Sequence, residues 1–126
     1  MEGFKDLKVY QKAFELAMEL FDITKEFPKE ECYALTDQIR RSSRSVCANL
    51  AEAFRKRQYT KSFIHKLTDA DAESSETTVW LDFSLACQYI SDEMYQKLYW
   101  KNQEIGKMLG SMMKNYHKFI IPSIVE

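Results

Sequence analysis

The chain of 126 residues has the length of a single domain, and its 45 % apolar and 29 % charged residues are typical of a globular protein. Its formal net charge of −1 excludes a strongly basic protein, and only three glycines and two prolines interrupt it. Because helix breakers are so few, long helices are favoured over many short strands. We therefore expect one all-α domain covering residues 1–126.

The first two predicted helices follow from hydrophobic periodicity. Residues 6–27 carry apolar side chains at spacings of three and four, and Phe27-Pro28 is expected to end the helix because a residue before proline avoids the α region. Residues 34–56 form the second helix, whose many alanines and serines predict close approach of a neighbouring helix.

Two further helices are predicted over about residues 60–89 and 92–117. The third would be roughly 45 Å long at 1.5 Å per residue. Ser91 is a suitable N-cap for the fourth helix, and Gly106 and Gly110 inside it indicate close packing. Because the connections are short, the expected fold is an antiparallel up-down-up-down four-helix bundle with a short C-terminal tail.

Four segments of the chain form a recognisable pattern: LKVYQKA at 7–13, ECYALTDQIRR at 31–41, SVCANLAEA at 45–53 and the helix from Phe63 to Glu76. Together they resemble one family of four-helix-bundle proteins, the 23S rRNA intervening-sequence proteins. The resemblance covers about residues 4–115, and a more distant similarity is to the accessory variability protein of diversity-generating retroelements. Ala53 stands where the family usually has glycine, which indicates a sub-branch.

This resemblance implies an assembly and a class of partner. It implies a homo-oligomeric ring of five subunits. For the retroelement relatives it implies binding of nucleic acid and reverse transcriptase. It supplies no catalytic residues. The expected function is thus a non-enzymatic oligomeric protein that binds RNA, DNA or a nucleoprotein, with a purely protein-binding scaffold as the alternative.

Positive charge is concentrated in one segment of the chain. Residues 40–66 contain eight Lys/Arg and one Asp/Glu, whereas the segments before and after each contain five Lys/Arg and nine Asp/Glu. The arginines of the second helix lie roughly opposite its apolar face, with Ala48 and Ala51 between them. This pattern predicts a phosphate-binding strip formed by Arg40, Arg44, Arg55, Arg57 and Lys61.

The same charges also fit an alternative without nucleic acid. Asp37 is four residues before Arg41, and Glu52 is four residues before Lys56, so both pairs could form salt bridges within the helix. Other arginines could pair with neighbouring helices or subunits. The lack of overall basicity favours this alternative.

Catalytic, cofactor and metal sites are not expected. No phosphate loop, nucleophile elbow or HExxH motif occurs, and neither histidine follows a glutamate by three residues as a di-iron bundle requires. His65, Asp69, Glu73 and Glu76 share a helix face that should point to solvent, and Cys47 lies among small residues. We expect no cofactor and no small-molecule substrate.

Some helices carry more apolar residues than one core can bury. Excess apolar surface of this kind indicates subunit contact, and the candidate interface residues are Phe14, Phe21, Trp80 and Phe83. The alternative is that the loops and the tail at 119–125 cover them. No secretory signal, membrane span or CxxC pair is seen, so we expect a cytoplasmic protein without membrane contact.

Overall fold

The computed structural model describes residues 3–122 as four long helices joined by short connections. Within these residues no strand occurs, so the predicted all-α fold with four helices is confirmed. The long helices are α1 (Lys8–Thr24), α2 (Leu35–Arg55), α3 (Thr60–Ala86) and α4 (Asp92–Lys114). Short 3-10 helices occupy Phe4–Asp6, Lys29–Glu31 and Tyr116–Lys118.

Contacts between the helices define an up-down-up-down order. At successive corners of the bundle, the end of one helix contacts the start of the next. The pairs that show this are Thr24 with Arg40, Glu52 with Lys66, and Asp82 with Tyr95. The circle closes between α1 and α4, where Lys12 pairs with Glu104 and Glu19 with Lys97. Each helix is therefore antiparallel to both of its neighbours.

The interior is apolar except for a layer of small polar side chains. The Ser42 and Thr77 hydroxyls lie 2.8 Å apart between α2 and α3, where short side chains let the two helices approach closely. Asn102 of α4 donates to the Ser74 carbonyl at 2.8 Å and to the Thr78 hydroxyl at 2.9 Å. Fully buried apolar residues include Leu20, Ile39, Leu50, Phe63, Leu67, Leu81, Leu98, Ile105 and Leu109.

Helix α1 is shorter than the sequence predicted. It ends at Thr24 rather than Phe27, because the next three backbone N–H groups bond to carbonyls three residues earlier and tighten the chain into a turn before Pro28. Phe27 is buried beyond the helix, and its ring centre lies 5.1 Å from that of Tyr89. The proline does end the helical segment, but the last turn is not α-helical.

Helix α3 ends at Ala86, three residues earlier than predicted. Gln88 has a φ of 62°, in the left-handed region that usually holds glycine. The Tyr89 N–H then bonds to the Ser84 carbonyl at 2.9 Å, and the Gln88 N–H bonds to the Leu85 carbonyl at 2.9 Å. This pair of bonds is a Schellman motif. It was not predicted because the position that usually holds glycine is Gln88 here.

Helix α4 begins as predicted and ends three residues early. The Ser91 hydroxyl accepts a hydrogen bond from the Met94 N–H at 3.1 Å, which confirms the predicted N-cap. The helix ends at Lys114, before the short Tyr116–Lys118 turn. The close packing predicted at the glycines is wrong: an added Cβ at Gly106 would meet only an Asp71 oxygen, 4.0 Å away. At Gly110 it would meet no atom of residues 3–122 within 4 Å.

Candidate functional site

The outer face of α2 carries an open groove of about 440 Å³ lined by three arginines. Arg40, Arg41 and Arg44 border it, and the short side chains of Ser45 and Ala48 leave it open. Guanidinium groups bind phosphate and carboxylate oxygens through paired N–H donors. Three of them within little more than one helical turn concentrate positive charge in the groove, which the Asp37 carboxylate also lines.

Arg40, which the sequence predicted to contact phosphate, is also bound to α1. Its Nε donates to the Thr24 hydroxyl at 2.8 Å, and its Nη2 donates to the Phe21 carbonyl at 3.2 Å. The guanidinium lies 4.6 Å from the Phe21 ring centre. A cation here is favourable because the last carbonyls of a helix carry partial negative charge. Arg40 therefore caps α1 while it borders the groove.

Arg44 is the least restrained cation of the groove. Its side chain is exposed and forms no ion pair with any residue in 3–122. The guanidinium lies 5.6 Å from the Phe21 ring centre, and this cation–π contact is the interaction that the structure shows for it. Arg44 is thus placed as the sequence predicted, free to meet an anion.

Arg41 does not pair with Asp37 on the same helix, which is the salt bridge expected in the alternative without nucleic acid. Instead, Nη1 lies 3.4 Å from a Glu73 oxygen, and Nη2 bonds to a Glu76 oxygen, both on α3. The predicted i,i+4 pair is wrong because α3 packs beside α2 and brings two carboxylates within reach.

The two glutamates beside Arg41 have opposite pKa shifts. Burial raises the pKa of Glu73, and the nearby Glu76 carboxylate raises it further against the lowering effect of Arg41. Burial would also raise the pKa of Glu76, but its bonds to Arg41 and Trp80 lower it below the ordinary value. Among described residues, one Glu73 oxygen is buried without a hydrogen-bond partner.

The remaining predicted cations lie at the other end of α2. Arg55 is eleven residues from Arg44, which is about 16 Å along the helix, and both Arg55 and Lys61 are exposed. Arg57 is less available, because its Nε donates to the Phe54 carbonyl at 2.8 Å and its guanidinium lies 3.6 Å from that ring centre.

Glu52, the one carboxylate of the basic segment, pairs with α3. It bonds to Lys66 at 2.6 Å, whereas Lys56, its partner in the alternative without nucleic acid, acts on it only as a nearby charge. The lysine hydrogen bond lowers the pKa of Glu52. The exposed cations of the predicted strip are thus Arg44, Arg55 and Lys61, whereas Arg40 and Arg57 form contacts within the chain.

The predicted interface residues lie in different environments. Phe14 and Phe83 are each 52 % exposed, on α1 and α3 respectively. Trp80 is half-buried, donates to a Glu76 oxygen at 3.3 Å and has its ring centre 6.0 Å from that of Phe83. Phe21, in contrast, is covered by the cations of Lys25 and the groove arginines. Phe21 is therefore the least suited of the four to subunit contact.

Comparison with known proteins gives the family. The model of the "23S rRNA-intervening sequence protein" family matches residues 5–111. The chain belongs to this family. A similar solved structure is that of a protein of unknown function from the S23 ribosomal protein family of Bacteroides thetaiotaomicron. It is 34 % identical, has a TM-score of 0.76, and the match covers 84 % of this chain and 95 % of that one. No curated protein sequence matches significantly.

The sequence prediction missed one exposed aromatic of this family member. Trp100 on α4 is 59 % exposed, and its ring centre lies 5.3 Å from that of Tyr99. The exposure of Trp100 could have been predicted from the sequence, because on a helical wheel Trp100 falls nearly opposite the buried Leu98 and Ile105. The sequence suggested Asp37 as the partner of Arg41, whereas its actual partners Glu73 and Glu76 depend on how α2 and α3 pack.

The tail contacts a different region from the predicted interface. Phe119 packs against Phe63, with ring centres 6.3 Å apart, and the Ile121 N–H bonds to the Arg57 carbonyl at 3.1 Å. These contacts are at the end of the bundle far from Trp80 and Phe83. Residues 123–126 of the predicted tail lie outside the described residues.

The residues that the sequence analysis weighed as metal ligands or as a nucleophile lie within residues 3–122, the described part of the chain. His65 lies 3.8 Å from Asp69, but no group of three potential metal ligands is found in this range. Burial raises the pKa of the Cys47 thiol to about 11, so it stays protonated near neutral pH and is a poor nucleophile. None of the helices in this range has the length and apolar character of a membrane span.

Proposed function

We propose that this protein is a non-enzymatic oligomeric adaptor that binds RNA or DNA, free or within a nucleoprotein, through the outer face of α2. The observation that carries the proposal is the arginine-lined groove at Arg40, Arg41 and Arg44. Arg55 and Lys61 extend the positive charge to the other end of the helix. We define Arg40, Arg44, Arg55 and Lys61 as the basic strip and leave Arg41 out of it, because Glu73 and Glu76 pair with its charge.

The composition of the basic strip favours contact with phosphates over contact with bases. Between its two ends lie the short side chains of Ser45, Ala48 and Ala51, which allow a nucleic-acid backbone to approach. Exposed tyrosines occur only near the ends, at Tyr33 and Tyr59, within the described part of this helix and its flanking loops. Base stacking should thus be minor and sequence preference weak.

A binding titration tests this proposal. The probe is a short fluorescein-labelled duplex of mixed sequence, made as RNA and as DNA, with the corresponding single strands alongside. We expect binding at low salt that weakens steeply as salt is added, with the logarithmic slope changing by about −0.9 for each phosphate contact on duplex DNA. The absence of binding at low salt would reject the proposal.

We also propose a homo-oligomer, and the family resemblance favours five subunits. Support comes from exposed apolar side chains on two different helices, Phe14 with Met18 on α1 and Val79 with Phe83 on α3. Two unlike surfaces can pair head to tail, and such contacts close into rings. A cytoplasmic location, with no membrane or small-molecule partner, is part of the same proposal.

Sedimentation velocity tests the assembly and the placement of the interface. We expect an oligomer that Trp80→Ala with Phe83→Ala weakens, because these rings lie beside an apolar groove of about 300 Å³. Trp100→Ala is the matched control, since it removes an exposed tryptophan from α4. A wild-type monomer at micromolar concentration would reject assembly, whereas an unaffected double variant would reject only the placement.

The alternative function is a protein-binding scaffold without nucleic-acid contact. It is favoured by the apolar groove lined by Ala34, Leu35, Trp80 and Phe83, and by the exposed Trp100. If the titration shows no nucleic-acid binding while the chain remains an oligomer, the scaffold function gains support.

A further inference from the structure

Arg41 lies in the groove beside Arg40 and Arg44, yet carboxylates of α3 balance its charge. Glu73 and Glu76 both contact the guanidinium, one through each terminal nitrogen. The Arg41 side chain is 45 % exposed, that of Glu76 is 35 % exposed and that of Glu73 is 21 % exposed. The cation is thus open to solvent, and Glu73 is the less exposed of its two partners.

We infer that Arg41 is a further phosphate contact, whose guanidinium is paired with Glu73 and Glu76 in the free protein. A bound polyanion must therefore compete with these two carboxylates for the guanidinium. This inference rests on the proposed function. We name the three residues the Arg41 clasp.

The clasp differs from the other ion pair between α2 and α3. Lys66 meets Glu52 in the first turns of α3, and Lys66 is not among the residues that line the groove. In the clasp, two carboxylates face one cation, and one Glu73 oxygen is buried without a partner in the described chain. An anion that draws Arg41 away leaves a partly buried carboxylate pair uncompensated, which opposes binding.

Protonation of one of these glutamates lowers the free-energy cost of moving Arg41 away. Burial already raises the pKa of Glu73, and withdrawal of Arg41 would raise the pKa of both glutamates because their stabilising cation is lost. The state with bound polyanion thus holds more protons than the free state. By linkage, affinity should increase as the pH falls from neutral towards the pKa of Glu73.

Other charged groups face the clasp and must be considered in the pH dependence. From α2, Arg40, Arg44 and Asp37 line the same groove. On α3, Lys66 and Asp69 lie one to two turns before Glu73 and pair with each other at 3.7 Å. On the other side of α3, towards α4, Asp71 and Lys107 line a separate polar groove. Asp37 is therefore the other carboxylate whose protonation could change binding in the groove.

The test compares Glu73→Gln/Glu76→Gln with the control Glu19→Gln/Glu104→Gln, which removes equal charge between α1 and α4. The probe is the fluorescein-labelled RNA duplex. The clasp variant should bind roughly fivefold tighter than wild type at neutral pH. On the duplex DNA probe, its salt slope should be steeper by about 0.9, as one more phosphate is contacted. Most of the pH dependence should disappear, whereas the control should keep the wild-type pH dependence and salt slope.

Three results would count against the inference in different ways. If wild type binds and the clasp variant has the wild-type slope and pH dependence, the inference is overturned and the proposed function stands. If the control and the clasp variant change equally, net charge explains the gain and the clasp is overturned. If wild type does not bind at low salt, the proposed function fails and the inference fails with it. Circular dichroism and sedimentation establish that each variant is folded and assembled.

Discussion

The Ser42 hydroxyl on α2 lies 2.8 Å from the Thr77 hydroxyl on α3, and neither side chain is exposed. Thr77 donates to the Glu73 carbonyl at 2.9 Å, whereas Ser42 lies farther, 3.4 Å, from the Ile39 carbonyl, so we assign the proton between the two hydroxyls to Ser42. This contact lies within one turn of both Arg41 and Glu73. This buried contact between α2 and α3 thus positions the side chains of the groove.

A larger side chain at the contact between Ser42 and Thr77 should destabilise the bundle. Ser42→Leu adds two heavy atoms at a fully buried site and removes the hydrogen bond, so we expect a loss of about 1–3 kcal/mol. Ser75→Leu is the control, because Ser75 is exposed on α3. Urea unfolding measures both. Equal midpoints for the two variants would show that the helices are not closely packed there.

Gln88→Gly should stabilise the protein. A side chain with φ of 62° is strained, and glycine adopts this conformation freely, so a gain of about 0.5–1 kcal/mol is expected. Gln96→Gly, at an exposed position inside α4, should instead cost about 1 kcal/mol. Thermal unfolding compares the two. A loss of stability in Gln88→Gly would contradict the Schellman ending of α3.

Much of the fold could be predicted from periodicity because the core positions recur at helical spacing. Leu35, Ile39 and Leu50 are buried as that spacing required. Two of the discrepant ends were unpredictable for a local reason: Gln88 is not a usual left-handed residue, and the turn after Thr24 depends on i to i−3 bonds. Such ends depend on backbone geometry more than on composition.

The candidate site was only partly predictable. Charge counting found the basic segment and placed Arg44 and Arg55 on an exposed face. It could not find the partners of Arg41, because these depend on which residues of α3 lie beside α2. The same packing decides that Arg57 covers the Phe54 ring, although its sequence neighbours suggest a free cation.

Two tyrosines should titrate unusually late. The Tyr89 hydroxyl donates to Glu31 at 2.8 Å, and this bond raises its pKa to about 12. A hydrogen bond to Asp82 likewise raises the pKa of Tyr95 to about 12. Because both values exceed the unfolded value of about 10, their stabilising effect is complete below about pH 10 and is lost as the pH rises through about 12.

Ultraviolet titration of tyrosinate absorbance tests these two bonds. Two of the seven tyrosines should ionise near pH 12. Tyr89→Phe and Tyr95→Phe should each remove one late step. Tyr33→Phe is the control, since that side chain is almost fully exposed and should leave both late steps in place. A single transition near pH 10 in wild type would contradict these contacts.

The cysteines should differ in reactivity. Cys32 and Cys87 are exposed, whereas burial raises the pKa of Cys47 to about 11. At neutral pH, iodoacetamide should therefore modify Cys32 and Cys87 well before Cys47, and denaturant should remove the difference. Peptide mass spectrometry gives the order. Rapid native labelling of Cys47 would reopen the question of a nucleophilic role.

Charge reversal is the most direct test of the proposal that the basic strip binds nucleic acid. Arg44→Glu with Arg55→Glu alters two exposed cations about 16 Å apart on α2. The control is Lys107→Glu with Lys114→Glu, which makes the same change of charge at two exposed residues of α4, across the bundle. Binding of the labelled duplexes is measured across a salt series. We expect the α2 variant to lose most of its affinity and to have a salt slope less steep by about two phosphate contacts. The α4 variant should retain the wild-type slope. If the folded, assembled α2 variant binds as wild type does, nucleic acid uses another surface and the account is wrong.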